Sequence, residues 1–155
     1  MTAPDPMRTM RGAAVWVIAL AAGCAGPGGG LRYTLSNGEI REPLTNAATT
    51  AADAERGRKV LVSREANCIL CHAAAETGER FYGNLAPPLS GVGKRLTAAQ
   101  MRARIVDPLF FNQESIMPAY YRVEGLHRVA ENLRGKPILS AEQIEDVIAY
   151  LLTLQ

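Results

Sequence analysis

The sequence predicts an all-α protein, and three observations support this fold class. Two segments, Thr97-Ala98-Ala99-Gln100 and Ser140-Ala141-Glu142-Gln143, have the spacing of the capping box that begins many helices. Apolar residues after the second box recur at the spacing of one helix face, at Ile144, Val147, Ile148 and Leu151. No stretch of the sequence shows the sustained two-residue alternation of a half-buried strand.

Three main helices are expected. The first covers residues 49–67, where acidic residues come early and basic residues follow. It contains Gly57, and a glycine inside a helix costs about 1 kcal/mol relative to alanine. We therefore expect another element to approach closely at Gly57, unless the glycine is simply tolerated. The other two helices follow the capping boxes, and the earlier of them is stopped by Asp107-Pro108.

The first 25 residues differ in composition from the rest of the chain. Arg8 and Arg11 precede an apolar run at residues 13–22, which is too short to span a bilayer as a helix and is followed by small residues. This pattern is typical of a signal peptide. We therefore expect residues 1–25 to direct export and the folded part to be periplasmic.

Cys24 has two interpretations within this segment. Leu20-Ala21-Ala22-Gly23-Cys24 is similar to a bacterial lipobox, in which the cysteine carries a lipid anchor. The alternative is cleavage after Ala25, which would remove Cys24 with the signal peptide. Export is expected under both interpretations, and membrane anchoring under the first.

The remaining chain divides into residues 26–50, a linker and extended arm, and residues 51–155, a folded domain. The linker begins with Gly-Pro-Gly-Gly-Gly, and Asn37-Gly38 is a turn signal within the arm. The formal net charge is +2, which is too balanced for a nucleic-acid-binding protein with a clustered basic face.

Cys68-Ile69-Leu70-Cys71-His72 is the most specific motif of the chain. A C-x-x-C-H run is the attachment signal for c-type haem. It predicts one covalent haem c, joined to Cys68 and Cys71, with His72 as an axial ligand of the iron.

Three other interpretations of the motif are weaker. A thioredoxin-like redox pair should follow a strand, whereas a helix is predicted before Cys68. A structural disulfide would leave the adjacent His72 unexplained. A zinc site normally needs four ligands, and the only Cys and His residues after residue 25 are Cys68, Cys71, His72 and His127.

The second axial ligand is predicted to be Met117. Met117 directly precedes Pro118, which fixes the backbone and removes a competing amide. Met101 lies in the predicted second helix and is expected to be a packing residue. The alternatives for this face of the iron are His127 and an open site, and an open face suits ligand binding rather than electron transfer.

Neighbouring residues suggest how the site is supported. A ligating histidine usually donates its other N–H to a carbonyl or carboxylate, and Pro87 or Pro88 is a candidate acceptor, unless these prolines only shape the loop. Arg102 and Arg104 are candidate donors to the haem propionates, with solvated helix charges as the alternative. Aromatic residues that fit an apolar haem pocket cluster after the motif, at Phe81, Tyr82, Phe110, Phe111, Tyr120 and Tyr121.

The order of these elements resembles a class I cytochrome c with an N-terminal arm. In that family a glycine of the first helix meets an aromatic residue of the last helix, and Gly57 and Tyr150 match those positions. Several segments between residues 33 and 155 resemble the SoxX family more specifically. The most specific are Arg104-Ile105-Val106-Asp107-Pro108 and Ile116-Met117-Pro118-Ala119-Tyr120-Tyr121.

SoxX is the monohaem subunit of the SoxAX cytochrome complex, and the resemblance implies a function. SoxAX joins thiosulfate oxidatively to a cysteine of the SoxYZ carrier, and is thus an L-cysteine S-thiosulfotransferase. The resemblance implies a heterodimer with a catalytic SoxA-like subunit, with this chain as the non-catalytic electron relay to a small cytochrome. His72 and Met117 would bind the iron, and Cys68 and Cys71 the haem.

The segment between Met117 and Ser140 is longer than a minimal electron carrier needs. Long connections in compact domains are often functional, so residues 121–139 are expected to dock a permanent subunit, unless the loop is a surface excursion without a partner. Two other functions stay open from the sequence. One is an independent periplasmic electron carrier, and the other is a haem-based ligand sensor.

Overall fold

The computed structural model describes residues 33–45 and 51–155. The predicted signal peptide with Cys24, the predicted linker up to residue 32, and residues 46–50 lie outside the described residues. Four α-helices are present in the described part, and no named strand occurs there. They are α1 (Ala54–Val62), α2 (Val92–Arg95), α3 (Ala98–Val106) and α4 (Ala141–Thr153). Short 3-10 helices occur at Cys68–Leu70, Ala75–Thr77, Pro108–Phe110 and Glu131–Leu133. The predicted all-α fold class is confirmed.

The crossing of α1 and α4 is the most extensive contact between helices. At this crossing the buried Gly57 of α1 meets the backbone of Asp146 and Val147. A Cβ at Gly57 would overlap the Asp146 carbonyl oxygen, so the predicted close approach is confirmed. The three atoms nearest to such a Cβ are main-chain atoms of α4, and the pairing of Gly57 with Tyr150 that the family pattern suggests stays a prediction.

Ion pairing reinforces the same crossing. Arg56 donates to both carboxylate oxygens of Asp146 at 2.8 Å, and Asp146 is only 5% exposed. The backbone N–H of Asp53 also donates to Asp146 Oδ1 at 2.7 Å. The start of α1 is therefore held against the middle of α4 by charge-assisted hydrogen bonds.

Helix α1 is shorter than the predicted 49–67. Asp53 has an extended backbone and caps the helix by accepting from Arg56 N, so residues 51–53 are not helical. At the other end Ser63 is extended, and Asn67 has a left-handed backbone with φ 48°. The prediction extended α1 too far because charge patterning does not reveal where a cap or a left-handed residue ends a helix.

The other two predicted helices match the structure closely. The side chains of Thr97 and Gln100 form a complete capping box at the start of α3, and those of Ser140 and Gln143 form one at the start of α4. Helix α3 ends at Val106 before Asp107-Pro108, as the sequence predicts.

The N-terminal arm is fixed to the helices by a buried ion pair. Arg102 of α3 donates to both carboxylate oxygens of Glu145 of α4 at 2.7 Å, and to the carbonyl of Ile40 at 2.7 Å. Glu145 also accepts from Leu44 N at 2.9 Å. The predicted turn in the arm is confirmed, since Asn37 and Gly38 both have positive φ and the flanking residues are paired.

We expect Arg102→Lys to lower the free energy of unfolding by about 1–3 kcal/mol. Lysine keeps the charge but cannot donate to both oxygens of Glu145 and to Ile40 together. Denaturant unfolding of the haem-loaded protein measures the change. Arg104→Lys is the matched control, because Arg104 donates to Gln100 O within α3 and has no ion pair with any residue that the structure describes. Equal stability of the two variants would contradict this role of Arg102.

Candidate haem site

The C-x-x-C-H segment lies directly after α1 and forms a 3-10 turn. His72 N and Cys71 N both donate to Cys68 O, at 3.0 and 3.2 Å. This turn brings the two cysteines and the histidine together within one turn of the chain. Cys68 and Cys71 are both free thiols of intermediate exposure. They are not joined in a disulfide in this structure, which is the arrangement that haem attachment requires.

A second segment runs beside this turn and is hydrogen-bonded to it. Gly83 N donates to Ile69 O at 2.7 Å, and Ala86 N donates to Cys71 O at 2.9 Å. A Cβ at Gly83 would overlap the carbonyl oxygen of Leu70. Glycine at this position therefore permits the close backbone approach that fixes the following prolines relative to His72.

His72 Nδ1 lies 2.6 Å from the carbonyl oxygen of Pro87. A carbonyl only accepts hydrogen bonds, so Nδ1 carries the proton and donates it. The lone pair of the neutral ring is then on Nε2, which is the atom left for a metal ion. Of the two prolines that the sequence offered, the structure selects Pro87.

The proline loop is held from its other side by Arg95 of α2. Its guanidinium donates to Pro88 O at 2.7 Å and to Ser90 O at 2.5 Å. No local sequence pattern indicates this role, because it depends on the conformation that places Arg95 beside the carbonyls of Pro88 and Ser90. Arg95 thus stabilises the loop conformation in which Pro87 faces His72.

The environment of Cys68 argues against a thioredoxin-like redox pair. Burial raises the pKa of the Cys68 thiol to about 11, although the Tyr120 hydroxyl beside it opposes the shift. Redox-active cysteines of that class have a lowered pKa and react as thiolates. Cys68 is instead a neutral thiol near pH 7.

Met117, the predicted methionine ligand, lies on a segment that is hydrogen-bonded to the C-terminal end of α3. Met117 is half-buried and packs against the hydrophobic core, and its N–H donates to Ser115 Oγ at 3.2 Å. Tyr120 N donates to Ile105 O at 3.1 Å, which fixes this segment to α3. Met101 is 2% exposed within the core, so its expected packing role is confirmed.

Apolar side chains are exposed around both segments, and their chemistry suits a haem. Leu70, Phe81 and Leu85 follow the cysteines and Ile116 precedes Met117, with exposures of 67%, 87%, 68% and 71%. Exposed apolar groups of this size are unfavourable in water, and an apolar macrocycle between the segments would cover such groups. Together with the free thiols and the free Nε2 of His72, these residues fit a covalent haem.

Arg102 and Arg104, the predicted donors to the haem propionates, contact other residues of the protein. Arg102 is buried with Glu145, so it is not available to a propionate. The guanidinium of Arg104 lies 4.4 Å from the ring centre of Phe111. Neither position supports the predicted donation of hydrogen bonds from these arginines to the haem propionates.

The aromatic residues expected in the haem pocket differ in their burial. Tyr120 and Tyr121 are buried, whereas Phe81 and the Phe110–Phe111 pair are exposed.

His127 is exposed in the long loop after Met117. It lines a cavity of about 310 Å³ with other loop residues and with none from the C-x-x-C-H turn. Arg128, Arg134 and Lys136 contribute basic groups to the same cavity. His127 thus lies in a separate surface feature, which favours Met117 over His127 as the candidate iron ligand.

Residues 54–155 match the family model described as cytochrome c. The chain belongs to the cytochrome c family. Membership in this family implies a covalently bound haem c. No match was found among curated proteins.

A solved structure narrows the relationship further. The chain is similar to a chain of the crystal structure of SoxXA from P. pantotrophus, with a TM-score of 0.70 and 34% sequence identity. The match covers 79% of this chain and 93% of that chain. The protein is therefore a SoxX-like monohaem cytochrome c, with an electron-transfer function.

Proposed function

We propose that this cytochrome is the electron-relay subunit of a SoxAX-type complex. In this role it pairs with a SoxA-like subunit and accepts the electrons released when thiosulfate is joined to a cysteine of a SoxYZ-like carrier. It then passes them to a small cytochrome. The observation that carries the proposal is the 34% identity to a SoxXA chain over 93% of its length.

Four residues are proposed to hold the haem. Cys68 and Cys71 would form the thioether bonds to the haem, and His72 Nε2 and the Met117 sulfur would bind its iron. The haem supplies reversible one-electron chemistry at a potential that a His/Met pair makes relatively high. Pro87 fixes the tautomer and orientation of His72, and Met117 closes the second face to water and other ligands.

The proposed ligation also explains why we propose no reaction of this subunit itself with sulfur compounds. If His72 and Met117 both bound the iron, no coordination position would be left for a substrate. Such a site relays electrons and does not bind a substrate at the metal. Catalysis is accordingly proposed for the SoxA-like partner. The ligand-sensor alternative would need an open face, which Met117 fills in this proposal.

The loop of residues 121–139 is proposed to dock the SoxA-like subunit. It is closed at its base, where Ile138 N and Leu139 N both donate to Tyr120 O, at 2.9 and 3.0 Å. Its middle is exposed and carries apolar side chains beside basic groups, including Leu126 at 37% and Leu133 at 54% exposure. Apolar groups with a polar rim are typical of protein interfaces.

Export to the periplasm through residues 1–25 is part of the same proposal, with Cys24 as a lipid anchor if the lipobox interpretation holds. No helix in the described part of the chain is long and apolar enough to cross a membrane. Residues 26–50 would then link the anchor or the processed terminus to the cytochrome domain at 51–155.

Co-purification tests the proposed complex. The tagged haem-loaded chain is expressed with a SoxA-like subunit from the same genome, and a stoichiometric complex should be recovered at moderate salt. Leu133→Glu in the docking loop should weaken recovery, whereas Leu152→Glu, on an exposed position of α4, should not. Recovery of the wild-type chain alone would favour the alternative of an independent electron carrier.

A further inference from the structure

Tyr120 connects the Met117 segment to the haem-attachment segment. It lies three residues after Met117, is 5% exposed, and its side chain crosses to a part of the chain 54 positions away. There its hydroxyl donates to the carbonyl of Ala66 at 2.5 Å. Ala66 is itself buried and lies two residues before Cys68.

The hydroxyl of Tyr120 is confined on a second side by Cys68. It lies beside the sulfur of Cys68, and burial raises the pKa of Tyr120 further above its usual value. A tyrosine hydroxyl is protonated at neutral pH, so it remains a donor to Ala66. A single side chain thus spans the distance between the two segments that carry the candidate haem ligands.

The backbone of Tyr120 is fixed as firmly as its side chain. Its N–H donates to Ile105 at the end of α3, and its carbonyl accepts from both Ile138 and Leu139 at the base of the long loop. A residue held at three points of the structure cannot shift without disrupting several hydrogen bonds at once. Its position therefore limits the movement of Met117.

We propose that Tyr120 is a positioning residue that sets the separation of Met117 from the Cys68–His72 turn. The proposal rests on the assignment of His72 and Met117 as iron ligands. A thioether is a weak, neutral ligand, and an ordered loop avoids the entropy cost of bringing it to the metal. The Tyr120–Ala66 hydrogen bond supplies that order by joining the two segments.

The test is Tyr120→Phe in the haem-loaded protein, because phenylalanine keeps the ring and removes only the hydroxyl. We expect the weak sulfur-to-iron absorption band of the oxidised protein to lose at least half its intensity. We also expect the reduced protein to bind carbon monoxide at least ten times faster than wild type, and the band to disappear on heating well before the protein unfolds.

Tyr150→Phe is the matched control. Tyr150 is 7% exposed in the same core, and its buried hydroxyl has no hydrogen-bond partner among the residues that the structure describes. This variant removes a hydroxyl without removing a bond between the two segments. Its band intensity and carbon monoxide binding should equal those of wild type.

The proposal is overturned if Tyr120→Phe keeps the full band up to the unfolding temperature, even when its stability falls. That result would leave Tyr120 with a packing role alone. If Tyr120→Phe does not accumulate, p-fluorophenylalanine at position 120 fills the hydroxyl space without donating and is measured in the same way. Absence of the band from wild type would instead contradict Met117 ligation, and with it the premise.

Discussion

Gly57→Ala is expected to lower the free energy of unfolding of the haem-loaded protein by about 3 kcal/mol. The added methyl group would overlap the Asp146 carbonyl oxygen, which belongs to the backbone of α4 and cannot rotate away. The two helices would have to separate at their closest point. The Arg56–Asp146 ion pair at the same crossing would then be disrupted as well.

Denaturant unfolding of the haem-loaded protein measures this effect. Lys59→Ala is the control on the same helix, because the Lys59 side chain is 68% exposed and such substitutions usually change stability by about 0.5 kcal/mol or less. If Gly57→Ala were as stable as Lys59→Ala, the helix crossing described by the structure would be wrong at this point.

Met117→Ala is expected to abolish the sulfur-to-iron absorption band of the oxidised protein. The reduction potential should fall, by a sizeable part of the roughly 0.8 V range over which axial ligands set haem potentials. Loss of the thioether also opens one face of the iron, so the reduced variant should bind carbon monoxide readily at neutral pH.

Visible absorption and potentiometric titration of the purified protein measure both changes. Met101→Leu is the matched control, since Met101 is buried in the core and its replacement should leave the band and the potential unaltered. His127→Ala should likewise leave the band intact. A Met117→Ala spectrum identical to that of wild type would contradict Met117 ligation.

The features predicted correctly from the sequence are those encoded over a few neighbouring residues. The capping boxes at Thr97 and Ser140, the turn at Asn37-Gly38 and the C-x-x-C-H run are all local patterns. The presence of the first helix was also predictable. Its ends were not, because they depend on the cap at Asp53 and on the left-handed Asn67.

The features missed from the sequence depend on contacts between distant segments. The sequence predicts Arg102 as a propionate donor or a solvated charge, because nothing local indicates its partner Glu145, which lies 43 positions away. The sequence predicts Tyr120 only as a pocket aromatic, since nothing local indicates its hydrogen bond to Ala66. The choice of Pro87 over Pro88 likewise required the register between the proline loop and the C-x-x-C-H turn.

Haem reduction within the assembled complex tests the electron-relay function most directly. The SoxA-like subunit, the SoxYZ-like carrier and this oxidised cytochrome are mixed, thiosulfate is added, and absorption is followed in the bands specific to a His/Met haem. The proposed function predicts that this haem becomes reduced in step with thiosulfate bound to the carrier. Formation of the carrier–thiosulfate product while this haem stays oxidised, with no external acceptor present, would contradict it.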